Sequence, residues 1–380
     1  MNDEKFVKEV SSIKPWNSKE DPIKVNSIRY NQDFSLLTLG TSKGYRVFLT
    51  LNLKLCNEET EANKYFGNIM IANVYFNSSL MFLLPSKNNE KYSNKELIIF
   101  DDFYQAKLAS FKVKKEEIYN FHLSKNVLYI ITLTRIIIIE LFSFKIIEII
   151  ENTVCNNKLL SFNYNDYLAF TFNNDKKSIY IHFYNNENYK VISRMKRTIY
   201  SSSFDFIQIF QLSPMGDLIG VASVFGNKFH IYYTKTGKLK ECFYVGPIIQ
   251  TIEKMLFSEK KPNYIFLLKN NNYFFVYKLN NLKNENLKCI CDKYKDNEIF
   301  NSQKNDKAGF LGFMRKSSKN KDIKDPHAYT QYEGRILFVD FDRNKHKYLI
   351  LINFNGQFIK YYFNKKKQGN ISPSLTIQWI

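Results

Sequence analysis

Asn31-Gln32-Asp33-Phe34-Ser35-Leu36-Leu37-Thr38-Leu39-Gly40-Thr41-Ser42-Lys43-Gly44-Tyr45-Arg46-Val47-Phe48 is the stretch that decides the fold. It reads as a polar turn, an apolar strand, a tight glycine turn and a second strand. Ser213-Pro214-Met215-Gly216-Asp217-Leu218-Ile219-Gly220-Val221-Ala222-Ser223-Val224-Phe225-Gly226-Asn227-Lys228-Phe229-His230-Ile231-Tyr232 repeats the same order. A third copy runs from Asn344 through Leu349-Ile350-Leu351-Ile352 and Asn355-Gly356 to Phe358-Ile359-Lys360-Tyr361-Tyr362. An Asn-Gly pair between two apolar runs is a strong hairpin signal.

Working outward, apolar runs of strand length recur along almost the whole chain, broken by turns rich in Asn, Asp, Gly or Lys. They pair up and return about every 40 to 45 residues, the period of a four-stranded propeller blade. No long stretch carries a helical period. The architecture expected is an all-β propeller, with the apolar strand positions as its core. The most hydrophobic stretch, Val127 to Ile150, carries Arg135, Glu140, Lys145 and Glu148. Such charges are costly at a bilayer centre, so the stretch reads as two buried strands with a turn near Ser143.

The 380 residues are 44% hydrophobic, enough to bury a sizeable core, and 16% aromatic, which favours strands. With 55 Lys+Arg against 36 Asp+Glu, the net charge of +19 suggests an anionic partner, although part of it reflects a composition rich in Lys and Asn. The five cysteines, Cys56, Cys155, Cys242, Cys289 and Cys291, lack metal-site spacing and are expected to be ordinary free thiols. An odd cysteine count with no apolar leader segment points to a reducing cytosolic setting. Residues 1–20 form a polar tail, 21–380 a single propeller, and a long basic insertion at about 280–324 interrupts blade six.

No phosphate-binding glycine loop, zinc-protease helix motif or nucleophile elbow is present, and no cofactor is expected. The pairs Asp101-Asp102 and Glu116-Glu117 are not preformed dyads, because neighbouring strand residues point to opposite faces. They read as solvated turn residues. The five histidines, His122, His182, His230, His327 and His346, show no triad spacing. A nucleic-acid partner is disfavoured, since the aromatics sit inside strand runs instead of alternating with basic residues.

The residues do resemble one family, the PROPPINs, polyphosphoinositide-binding WD-repeat-like β-propellers of autophagy. The likeness is carried by Tyr30-Asn31-Gln32-Asp33 with Gly40-Thr41-Ser42-Lys43-Gly44-Tyr45-Arg46-Val47 in blade one. Blade two adds Glu96-Leu97-Ile98-Ile99-Phe100-Asp101-Asp102-Phe103, and blade three adds Glu117-Ile118-Tyr119-Asn120 with its two apolar runs. It extends from about Lys24 to the C-terminus. The resemblance implies seven blades, two headgroup pockets on the rim of blades five and six, and a blade-six loop that enters the membrane.

Those pockets depend on a Phe/Leu-Arg-Arg-Gly motif, whose two guanidinium forks each grip a phosphorylated ring. Here the motif position reads Phe243-Tyr244-Val245-Gly246, and both arginines are gone. Of the other family-equivalent lipid positions, Ser223 is retained, while Asn227 stands for a threonine and His230 for an arginine. In blade six, Leu268 or Lys269, Tyr273 and Phe275 stand where the family has Ser, Thr and His. Lys196 and Arg197, in an interblade loop before blade five, and Lys228 are candidate compensating phosphate contacts.

The function this implies is a non-enzymatic scaffold in autophagy-related or endolysosomal membrane traffic, with phosphoinositide binding weakened or rerouted. Its partners would bind the rim of blades two and three, around Lys87 to Asn94 and Phe103 to Lys115. The alternative is a genuine phosphatidylinositol 3-phosphate effector that uses the compensating basic residues. Either places the chain in the cytoplasm, peripherally on endosomal, vacuolar or autophagosomal membranes.

Overall fold

The computed structural model of the chain describes residues 23–50, 53–58, 66–154, 156–187, 190–200, 206–224, 228–245, 251–258, 264–269, 273–279, 328–332, 336–341, 348–353, 357–362, 369–370 and 373–378. The tail at 1–20, the insertion at 280–324, Asn227 and the Asn355-Gly356 turn lie outside them.

Seven antiparallel blades follow one another along the chain. Blade one holds β1 (Val25–Tyr30), β2 (Leu36–Thr41), β3 (Gly44–Leu49) and β4 (Leu55–Glu58). Blade two holds β5 (Ile69–Val74), β6 (Leu80–Pro85), β7 (Glu96–Asp101) and β8 (Ala106–Lys112). Blade three holds β9 (Asn120–Leu123), β10 (Val127–Ile131), β11 (Arg135–Glu140) and β12 (Ile146–Glu151). Blade four holds β13 (Leu160–Phe162), β14 (Tyr167–Phe172), β15 (Asp175–Glu187) and β16 (Lys190–Tyr200). Blade five holds β17 (Ile207–Leu212), β18 (Leu218–Ser223), β19 (Lys228–Tyr233) and β20 (Leu239–Tyr244).

Blade six begins with β21 (Ile252–Phe257), β22 (Tyr264–Lys269), β23 (Tyr273–Lys278) and β24 (Ala328–Gln331). Blade seven begins with β25 (Ile336–Phe341), β26 (Tyr348–Asn353) and β27 (Gln357–Tyr362). The chain then adds β28 (Gly369–Asn370) in parallel to the edge of blade six before β29 (Pro373–Gln378) completes blade seven against β27.

The opening motif forms as its residues dictate. Asn31 accepts from the Leu36 amide through Oδ1, fixing the turn between β1 and β2. The hairpin between β2 and β3 needs Gly44, whose φ of 88° lies in the left-handed region. Thr41 Oγ1 donates to the Gly44 carbonyl at 2.9 Å and accepts from the Lys43 amide. In the third copy, β26 and β27 pair antiparallel with Ile352 opposite Phe358.

The ring is closed by packing. Seven apolar clusters each join one pair of neighbouring blades. The cluster between the last and first blades contains Phe338, Ile350, Ile352 and Phe358 together with Tyr30, Leu37, Leu39 and Phe48. Because β29 completes its own blade, no strand exchange is needed to seal blade seven to blade one.

Two expectations change. The stretch from Val127 to Ile150 forms three strands, with Ser143 in the turn between β11 and β12. The third, β12, leaves Ile146 and Ile149 exposed, since an outermost strand has no neighbour on its far edge. Asp101 is buried and accepts from the Phe103 and Tyr104 amides, and Asp102 accepts from the Tyr45 hydroxyl. That pair therefore organises the β7–β8 turn instead of being solvated.

Candidate functional site

Blade five carries the residues that the resemblance leads us to expect at the headgroup positions. Ser223 ends β18 and is buried. Lys228 opens β19, with its backbone paired to Tyr244 of β20. The alternation of β19 sends Phe229 and Ile231 into the cluster with blade six and Tyr232 into the cluster with blade four. His230, in phase with Tyr232, is 1% exposed, and its Nδ1 lies 3.1 Å from the Tyr232 hydroxyl. Burial, helped by the nearby Lys228 charge, lowers its pKa to about 4, so the ring is neutral at physiological pH.

Val245 is 3% exposed and packs with Phe243, Ile252 and Met255 between blades five and six. An apolar side chain thus fills interblade core at the position where the resemblance leads one to expect an arginine. Lys196 and Arg197 lie in β16, the outer strand of blade four, their backbones paired with His182 and Ile181. Both belong to a strand and not to the expected interblade loop. Asn227 falls outside the described residues.

On blade six, Lys269 ends β22 in phase with Ile265 and Leu267, which face blade five. It is buried, its ammonium 5.7 Å from the centre of the Phe275 ring. Burial alone lowers its pKa to about 8. Ser223, His230, Val245 and Lys269 are all withdrawn from solvent, so this rim offers no exposed pair of guanidinium groups among the described residues.

The rim of blades two and three is built differently. Leu108 of β8 is 56% exposed and Phe142, in the β11–β12 turn, 74%. With Tyr75, Ala109, Leu141 and Phe144 they line an apolar groove of about 390 Å³. The Phe144 ring packs on Phe111, 5.7 Å between centres. Further out, Phe103 and Tyr104 project from the β7–β8 turn, Phe103 at 77% exposure. Exposed Lys125 and Lys145 adjoin the groove in sequence. Sequence reasoning pointed at this rim but not at Phe142 or Phe144; two phenylalanines in a polar turn were the available signal.

Among the described residues no metal-binding cluster occurs, and no helix is long and apolar enough to cross a membrane. Cys56 is a free thiol, whereas Cys242 is disulfide-bonded, correcting the expectation of five free thiols. Chain spacing gave no sign of that bond, since a fold can join cysteines far apart in sequence.

Fold and rim together define a seven-bladed β-propeller with an apolar groove between two blades. No protein-family model matches the chain. Kluyveromyces lactis Hsv2 shares the fold, with a TM-score of 0.69 and 12% identity over 94% of this chain and 100% of that one. So does KlAtg21 in its complex with the coiled coil of AgAtg16, at a TM-score of 0.67, 13% identity and the same two coverages. Both are PROPPIN propellers, and at such identities the likeness is one of fold. SVP1-like protein 2 of Schizosaccharomyces pombe is 28% identical over 94 residues, a stretch spanning 24% of this chain and 24% of that protein.

Proposed function

We propose that the chain is a divergent PROPPIN that works as a non-enzymatic scaffold in autophagy-related membrane traffic, engaging partners through the groove of blades two and three. The exposed apolar groove flanked by Leu108 and Phe142 carries this reading. Exposed aromatics around a concave apolar strip are what an amphipathic helix needs in order to bury its apolar face. The fold neighbour captured with a coiled coil supports a partner of that kind. Lys125 and Lys145 favour one with acidic flanks.

Proximity labelling in cells tests the proposal. The intact chain is expected to label autophagy proteins with coiled-coil segments, and a Leu108→Asp, Phe142→Asp double variant to lose them while keeping its thermal stability. Neighbours confined to ribosomes or chromatin would refute it.

A second reading is favoured by Lys228, half-buried where β19 opens: a phosphatidylinositol 3-phosphate effector that uses Lys228, with Lys196 and Arg197, in place of the missing arginines. A lysine is a point charge without the bidentate fork, so specificity for one headgroup is expected to be weak. Flotation with vesicles carrying the 3-phosphate lipid, against vesicles matched in charge with phosphatidylserine, separates the readings. Peripheral membrane association follows from either one.

A further inference from the structure

The innermost strands of the blades, β1, β5, β9, β13, β17, β21 and β25, surround the propeller axis. Two adjoining cavities of about 220 and 340 Å³ lie there, sharing Arg29, His122 and Asp340 in their walls. Arg29 of β1 donates to the Phe121 carbonyl at 2.5 Å and to Asn120 Oδ1 at 2.5 Å, with its guanidinium 5.5 Å from the Phe121 ring. Both acceptors are neutral, and no carboxylate among the described residues pairs with it. Burial lowers its pKa to about 10, which leaves it charged at physiological pH. A guanidinium carries five N–H donors, and two are used here.

Lys254 of β21 brings a second cation, donating to the Val339 carbonyl at 2.8 Å. Asp340, which accepts from the Phe341 amide, is the one acidic residue in either wall among the described residues. The walls also hold two orphan acceptors. Asn73 Oδ1 is buried without a partner. His122 Nε2 is likewise unpaired, while its ring bonds the Asn163 backbone. With the proton on Nδ1, toward that backbone, Nε2 presents a lone pair. Burial first, and the Arg29 charge second, lower the His122 pKa to about 3, so the ring stays neutral.

A ligand suited to these walls carries negative oxygens for Arg29 and hydroxyl donors for His122 Nε2 and Asn73 Oδ1. We propose that the axial cavity binds a protonated oxyanion of the phosphate class, as hydrogen phosphate or as a small phosphomonoester. A fully ionised sulfate matches the charge but has no proton to give. The site is independent of the rim grooves and of the scaffold reading.

Calorimetric titration of the full chain at constant ionic strength tests it, with inorganic phosphate, sulfate and glycerol 3-phosphate as probes. Saturable binding of one phosphate is expected, with sulfate at least about tenfold weaker. Arg29 also pins blade one to blade three, and Arg29→Met could unfold the ring. Asn73→Asp, which keeps shape and adds negative charge, is therefore the main variant, and it is expected to abolish binding in a folded chain. Lys235→Ala, in the exposed turn between β19 and β20, leaves binding intact. Glycerol 3-phosphate binding tighter than inorganic phosphate identifies a phosphomonoester as the natural source; the reverse identifies free phosphate. Absence of saturable phosphate binding, or equal phosphate and sulfate affinity that survives Asn73→Asp, overturns the proposal.

Discussion

The two rims use the same strands for opposite ends. On blades two and three, aromatic and aliphatic side chains at the outer strands and their turns reach into solvent: Phe103, Leu108 and Phe142. On blades five and six, Ser223, His230, Val245 and Lys269 turn inward and are absorbed by the packing between blades. A propeller rim can carry a groove only where its edge residues are not needed to seal neighbouring blades. Blade five has used its edge for sealing, and blade three has not.

The largest expected effect is at Val245. Val245→Arg restores one motif arginine in sequence, but the side chain enters a cluster with Phe243, Ile252 and Met255. Burying an unpaired guanidinium there should destabilise the fold by about 3 kcal/mol or more, read as a lower denaturation midpoint. A stable Val245→Arg chain with new lipid affinity would show that this edge is free, and the contrast between the rims would collapse.

Next in size is the groove itself. Phe142→Ala or Leu108→Asp alone should cost about 2 kcal/mol of partner binding, roughly thirtyfold, with little change in stability. The side chains are exposed, so folding does not depend on them. If either substitution instead lowers the melting temperature by many degrees, the groove is structural packing and not a docking surface.

Stability should depend on pH through the inward-turned histidines. His230 and His122 titrate near pH 4 and pH 3, both below the ordinary histidine value, so the unfolded chain takes up their protons first. Their contribution is present above about pH 6.5 and lost as pH falls toward those values, at about 2 kcal/mol each by pH 5. Thermal melts from pH 7 to pH 5 should fall accordingly, and His230→Gln should flatten the slope. A flat profile in the unmodified chain would mean that His230 is hydrated, and that the blade-five edge is open.

How much of this could be read from the chain follows from what each residue depends on. The blades were legible because Leu36–Thr41, Gly44–Leu49 and their counterparts repeat a local pattern, with glycine where the turn demands it. Val245 was legible as a lost arginine, but its burial depends on blade six. Lys196 and Arg197 were misplaced in a loop because β15 and β16, Asp175–Glu187 and Lys190–Tyr200, are polar strands whose apolar alternation is weak. Arg29 carries no motif that singles it out in the chain. Only closing the ring sets it beside His122, a blade-three residue, on the axis.

The smallest expected effect is also the one that most sharpens the contrast. Lys228→Ala should lower vesicle recruitment by no more than about fivefold, because each lysine near an anionic leaflet contributes on the order of 1 kcal/mol to a shared, non-specific attraction. That attraction is screened over about 8 Å at physiological salt and does not distinguish one phosphorylated headgroup from another. Recruitment should therefore track total vesicle charge and decline with salt, equally for 3-phosphate lipid and phosphatidylserine. If the 3-phosphate lipid recruits the chain more than about fivefold better, and Lys228→Ala removes the difference, then that one lysine is performing the task of a paired guanidinium. Blade five would then be a second working rim, and the division of labour between the two edges would have to be redrawn.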